Sequence, residues 1–243
     1  KRRKFIQLAG LGIGGTMLTV PLTGNAVPVS RLTEAVMDVA DKKKLADIAL
    51  NAATKQGATY ADVRIGRYLN QFIYTREDKV QNIENSESFG VGIRVIVNGT
   101  WGFAASSDLS PESIAITALQ AAAIAKANSR IQRDAVKLAP NKGVGDVSWK
   151  TPIETNALDV PVSEKVDLLL KSNAAAMDSG ATYAGSALFM VNEQKYFAST
   201  DGSYIDQDVH RIWPNFTITG INKETGKFRS RQALSSPMGM GYE

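Results

Sequence analysis

Cysteine is missing altogether from this 243-residue chain, and histidine occurs once, at His210. The first absence excludes disulfides, thiolate nucleophiles and cysteine-based metal sites. The second leaves His210 without the second imidazole or thiolate that a metal ligand needs, so it reads as a surface or strand histidine. No Ser-His-Asp arrangement with a second histidine and no phosphate loop is present. No apolar run reaches the roughly 18–20 residues of a spanning helix. Hydrophobic content of 44% and a mean hydropathy of -0.14 suit a soluble globular chain.

Acidic residues are missing from the start: none precedes Glu34, whereas Lys1, Arg2, Arg3 and Lys4 open the chain. Setting those four aside from the 28 Lys and Arg leaves 24, equal to the 24 Asp and Glu. The pI near 9.2 therefore belongs to the leader. The remainder lacks the concentrated positive field that nucleic-acid binding requires, and no nucleic-acid partner is expected.

Residues 1–26 have a signal-peptide layout. A charged start precedes an apolar stretch diluted by Gly10, Gly12, Gly14 and Gly15, and small residues flank a cleavage site after Ala26. Arg2, Arg3 and Phe5 resemble a twin-arginine export signal, which implies a periplasmic protein carried out already folded, with no membrane attachment after the signal is removed; an N-terminal membrane anchor and an ordinary secretory signal are the alternatives. The chain begins without Met and ends on Met238-Gly239-Met240-Gly241-Tyr242-Glu243, a stretch with nothing to cap or pack it. It reads as part of a longer protein.

The mature chain alternates helices with strands. Residues 27–41 read as a tether. Lys42 to Gln56 is an amphipathic helix with Leu45, Ile48, Ala49, Ala52 and Ala53 on one face, ended by Gly57. Tyr60 to Arg76 alternates as a long strand, and Lys79 to Asn85 is a short one. The central hairpin spans Ser88 to Ser107 and turns at Asn98-Gly99, a dipeptide suited to two positive φ angles. Ser110-Pro111-Glu112 opens a helix with a capping hydroxyl, a first-turn proline and an acid at the positive end. It runs to Asn128 on Ile114, Ala118, Ala121, Ala122 and Ala125. Residues 135–161 show no period and read as a long connection. A third helix follows to Ser179, with Val166, Leu169, Leu170, Ala174 and Met177 inward. Strands are expected at Ala187 to Val191, Lys195 to Ser199, Tyr204 to Ile212, Phe216 to Ile221 and Phe228 to Leu234.

Gly57-Ala58-Thr59-Tyr60-Ala61 recurs as Gly180-Ala181-Thr182-Tyr183-Ala184, each copy following a helix and opening a strand. The pattern predicts an α+β fold of two related helix-plus-antiparallel-strand units, forming mixed sheets with helices packed on one face. The expected organisation is a signal at 1–26, a first unit at 27–134, a connection at 135–161 and a second unit at 162–243.

Three stretches carry a family resemblance. They are Gly57-Ala58-Thr59-Tyr60-Ala61-Asp62-Val63-Arg64, Ser86-Glu87-Ser88-Phe89-Gly90-Val91-Gly92-Ile93-Arg94-Val95 and Gly99-Thr100-Trp101-Gly102-Phe103-Ala104, and the helix through Ala123 to Ala127 follows in order. The chain resembles the TldD/PmbA metallopeptidases, also called modulators of DNA gyrase. The resemblance implies a zinc peptidase acting on peptides or unfolded segments, built as a homodimer or as a heterodimer with a related subunit. The family's zinc motif is His-Glu-x-x-x-His with a later Cys. This chain offers none of it, so no catalytic or metal-binding residue carries over, and zinc is expected in the full-length protein rather than on these residues.

The residues expected to contact a peptide are Gly90, Gly92, Arg94, Trp101, Gly102 and Phe103. Asp206 and Asp208 share a strand face and could hold a cation, though such pairs are commonly solvated. Glu84, Glu87 and Arg94 flank the hairpin, where an ion pair is the default. Asn215-Phe216-Thr217 fits a glycosylation pattern that carries little weight beside a bacterial-type export signal. The leading functional reading is the substrate-channel part of an exported metallopeptidase. A non-catalytic partner subunit or peptide-binding module is the alternative, and an exported solute-binding protein explains the repeat less well.

Overall fold

Alternation of side chains every second residue makes a strand two-faced, and the strand Tyr60–Arg76 (β1) shows what that means here. Its odd-numbered residues from Ala61 to Thr75 are all buried, whereas most of the even-numbered ones are partly or fully exposed. The computed structural model describes residues 37–243, so the leader with Arg2, Arg3, Phe5 and Ala26 lies outside the described residues.

The elements follow the order α1 (Val39–Lys55), β1, β2 (Lys79–Val97), β3 (Thr100–Ser106), α2 (Pro111–Asn128), β4 (Gly145–Lys150), α3 (Val162–Asp178), β5 (Tyr183–Ser199), β6 (Ser203–Ile221) and β7 (Phe228–Gln232). All strands join one seven-stranded sheet in the order β3-β2-β1-β5-β6-β4, with β7 also on β6. Every pair is antiparallel except β4 with β6.

The repeat is a repeat of lengths. Helix, strand and strand run 17, 17 and 19 residues in both copies. Gly57 and Gly180 end the two helices with φ of 86° and 98°, a left-handed closure that glycine adopts without cost. The two units meet where β1 pairs along its length with β5, from Asp62 opposite Ser199 to Arg76 opposite Gly185.

All three helices lie on the face of the sheet that the odd-numbered residues of β1 share, α1 and α3 over β1 itself and α2 over β2 and β3. Leu45, Ala46, Ala49, Leu50 and Ala53 of α1 join Ile114, Ala118, Ala121, Ala122 and Ala125 of α2 over Val63, Ile65, Ile93 and Val95. Leu169 of α3 packs with Leu69, Ile73, Leu188 and Met190 in a second cluster. Small alanines let α1 and α2 come close to the sheet. The closest approach is at Gly102, where a Cβ would stand 2.0 Å from the Ala121 carbonyl oxygen.

Several expectations are corrected. β2, β5 and β6 are each continuous where the sequence suggested breaks at residues 86–87, 192–194 and 213–215. The polar residues at those places are ladder residues: Glu87 pairs with Arg67 at 2.8 Å, and Asn192 donates to Asp208. Pro214 is tolerated because it lies between the stretches of β6 paired by β4 and β7, where the strand is locally an edge. The connection 135–161 contains β4, a strand exposed along its whole length.

The inward face of α3 is Lys165, Leu169 and Asn173, while Ala174 is exposed. Polar side chains on the sheet rotate the helix from its apolar prediction. Lys165 reaches Gln71 and donates to the Ala157 carbonyl at 2.7 Å, and Asn173 donates to Thr75 Oγ1 at 3.1 Å. The final residues are also tied down: Met238 exchanges backbone hydrogen bonds with Ile212, and Tyr242 N–H donates to the Thr155 carbonyl.

Candidate functional site

The helix-free face of the sheet gathers the even-numbered residues of β1 and their partners. Asp62 stands opposite Arg94 of β2, which stands opposite Phe103 of β3, and Trp101 stands opposite Ile96. On the other side Arg64 stands opposite Phe197 of β5. Residues directly opposite in an antiparallel sheet share a face, so these side chains are neighbours because of register.

At one end of this face Asp62 has no exposed surface. Its Oδ2 accepts hydrogen bonds from Arg94 Nε at 2.8 Å and Nη2 at 2.7 Å. Its Oδ1 lies 2.8 Å from Arg64 Nη1, a close ion pair without the alignment of a hydrogen bond. Both guanidiniums rest on aromatic shelves, Arg94 4.5 Å from the Trp101 centroid and Arg64 5.3 Å from that of Phe197. Tyr60 packs edge-on to Trp101 at 5.8 Å. Burial lowers the Arg94 pKa, but the bonds to Asp62 more than offset it, and the net shift is upward. Burial, then the Asp62 charge, pushes the Tyr60 phenol up.

A second buried carboxylate lies further along. Glu193 accepts from both terminal nitrogens of Arg211 at 3.0 Å, from Lys195 at 3.2 Å and from the Tyr68 hydroxyl. Burial opposes its ionisation, yet these bonds hold its pKa below the usual carboxylate range. Beyond it Phe72, Phe189 and Trp213 stack across three strands, with centroids 4.4 and 5.0 Å apart.

The two borders of the sheet differ. On β6, β4 covers Ser203–Asp208, Met238 bridges Ile212, and β7 covers Thr217–Ile221. On β2, β3 reaches only Val91–Val97. Among the described residues nothing pairs with the outer side of Lys79–Phe89, and every one of those residues is exposed, Val80, Ile83 and Phe89 included. A strand with one side unpaired presents a row of free N–H and C=O groups.

Among the residues expected at a site, Arg94, Trp101 and Phe103 come together on the open face. Gly90 and Gly92 lie there too; a Cβ at Gly92 would stand 3.1 Å from the Phe103 ring. Gly102 does not join them, for it faces α2. Glu87 and Arg94 lie on opposite faces, and their partners are Arg67 and Asp62. The sequence reading passed over Asp62 and Arg64 as site residues. Their spacing of two along an alternating strand was the available signal.

His210 is a half-buried member of a polar seam under the helices. Its Nε2 lies 3.0 Å from Asn192 Nδ2 and 3.3 Å from Asp208 Oδ1, and its backbone N–H donates to Thr151 Oγ1 at 3.0 Å. Asp206 is engaged separately by Lys42 at 2.8 Å. Among the described residues no group of three or more His, Cys, Asp or Glu is arranged to hold a metal. With one imidazole already held by its neighbours and no thiol in the sequence, the donors present do not fit a catalytic zinc. Among the described residues no helix is long and apolar enough to cross a membrane.

Three comparisons bear on this arrangement. A metalloprotease of Methanocaldococcus jannaschii is 25% identical over 184 residues, covering 76% of this chain and 40% of the relative. The solved structure of TldE from Thermococcus kodakarensis superposes with a TM-score of 0.59 at 16% identity, over 77% of this chain and 42% of that one. A Bacteroides thetaiotaomicron protein described as a candidate modulator of DNA gyrase gives 0.63 at 16% identity, over 82% and 45%. The chain thus spans less than half the length of each relative. Residues 61–125, which run from β1 through β2 and β3 into α2, match PmbA/TldA metallopeptidase domain 1, and the described chain has the α+β fold of TldE.

Proposed function

We propose that this chain is the polypeptide-holding part of a zinc metallopeptidase of the TldD/PmbA type, exported by the twin-arginine route to the periplasm and working as a dimer with itself or a related subunit. The observation that carries the reading is the outer side of Lys79–Phe89, unpaired among the described residues, beside an aromatic and cationic open face. An extended peptide of any sequence can pair with such an edge through its main chain, while alternate side chains fall on each face of the sheet. The edge is about 35 Å long at ~3.3 Å per residue, room for a substantial segment.

Hydrolysis in this reading belongs to sequence that this chain does not match in its relatives. One histidine and no cysteine cannot supply the imidazole pair and thiolate that the resemblance calls for. A non-catalytic partner subunit or peptide-binding module is the alternative, kept in view by the single histidine and the absence of cysteine.

Binding of an unstructured eight-residue peptide, compared with the same peptide N-methylated at alternate backbone positions, tests the edge. The expected outcome is that methylation at one set of alternate positions abolishes binding and at the other does not. Equal binding by all three would overturn main-chain pairing.

A further inference from the structure

Buried carboxylates normally neutralise one cation each, but Asp62 serves two. The guanidiniums of Arg64 and Arg94 converge on it with side chains 44% and 39% exposed, so these three residues together carry a formal charge of +1 at the open surface. Each guanidinium has five N–H donors. Arg94 spends two on Oδ2, and Arg64 has only a close, unaligned contact with Oδ1. Most of the donors of both forks therefore remain available. Trp101 and Phe197 lie against the two guanidiniums, which lowers the ordering cost that usually weakens binding by arginine.

We propose that Arg64 and Arg94 form a carboxylate-binding subsite for a polypeptide, with Asp62 as the residue that positions them. One net charge and planar forks suit a monoanionic carboxylate, which arginine grips through paired parallel hydrogen bonds. A polyanion is disfavoured by the equal numbers of acids and bases outside the leader. The ligand group is either the C-terminal carboxylate of a bound chain or an acidic side chain within it. This inference rests on the polypeptide-holding reading and adds a preference to it.

The test uses the full chain and three eight-residue probes without other acids: one with a free C-terminus, its C-terminal amide, and the amide carrying one internal Glu. Affinity is read by calorimetry, and the Nε–Hε signals of Arg64 and Arg94 by NMR. The expected result is a preference of about tenfold for a carboxylate over the amide, the scale of one charge-assisted pair. It should weaken with salt and, read as the ratio of carboxylate to amide affinity within each variant, fall to about one in Arg64→Gln and Arg94→Gln. Arg94→Lys keeps the charge without the fork and should retain only part of it. A gain for the free C-terminus alone identifies the terminal carboxylate, and a gain for the Glu probe alone identifies a side chain. Equal affinity for all three probes overturns the subsite and leaves the edge reading standing. N-acetylglycine moving both arginine signals while no octapeptide binds supports the subsite and counts against the edge. Failure of every probe overturns both.

Discussion

The two units have the same lengths and different undersides. In the first, α1 lays alanines and leucines on Val63, Ile65, Ile93 and Val95, and α2 seals the cluster. In the second, α3 lays Lys165 and Asn173 on Gln71, Thr75 and Ser186 around a smaller apolar cluster. Element length and the glycine that ends each helix set the geometry; the filling is free to differ as long as nearly all buried polar groups find partners. The first unit is held by close approach, the second by directional bonds.

That contrast predicts different responses to substitution. The largest effect is expected at Gly102 in the first unit. Gly102→Val would press a side chain onto the Ala121 carbonyl and the Ala125 backbone, and should destabilise the fold by at least ~3 kcal/mol in urea titration. A change below ~1 kcal/mol would show that α2 is not held by close approach.

Next comes Lys165, whose burial pushes its pKa down from 10.5 to about 8. Below about pH 8 the ammonium is charged in folded and unfolded chains alike, and its desolvation cost is fully present. Between about 8 and 10.5 the folded chain binds fewer protons than the unfolded chain, so stability rises with pH. The full gain is about 3 kcal/mol, at 1.36 per pKa unit. Tyr204, raised to about 12 by burial and then its bond to Asp47, acts in the opposite sense above pH 10, so the rise is to be read between pH 7 and 10. Lys165→Met should abolish that rise. A variant that keeps it would place the titration elsewhere.

Asn173→Ala should cost about 2 kcal/mol, because Thr75 and Ser186 lose a buried partner. Thermal unfolding of the single variant and of Asn173→Ala with Thr75→Val would show whether the bonds act as a unit. The smallest effect is expected at Lys43–Asp146, an exposed pair at 2.6 Å joining α1 to β4. Its double-mutant coupling should fall below ~1 kcal/mol.

Much of this is legible in the sequence. β1 was read with its observed ends, the Asn98-Gly99 turn has φ of 52° and 71°, and Ser110 caps α2 through the Ser113 N–H. The Gly-Ala-Thr-Tyr-Ala recurrence pointed to the paired units. Strand continuity was not legible, because Asn192, Glu193 and Gln194 look like a turn until His210, Val209 and Asp208 stand opposite them. The face of α3 was misread for the same reason: a helix lying on polar strand residues does not follow its own apolar period. The Asp62 site was half visible, since Arg94, Trp101 and Phe103 were picked out while Asp62 and Arg64 waited on the register between β1 and β2.

The free edge of β2 is the claim on which the functional account turns. Amide hydrogen exchange of Lys79–Phe89 with and without bound peptide measures it directly. The account predicts that alternate amides of this stretch gain protection while those of β6 opposite β4 do not change. Unchanged exchange along Lys79–Phe89 at a peptide concentration that saturates the chain would contradict it.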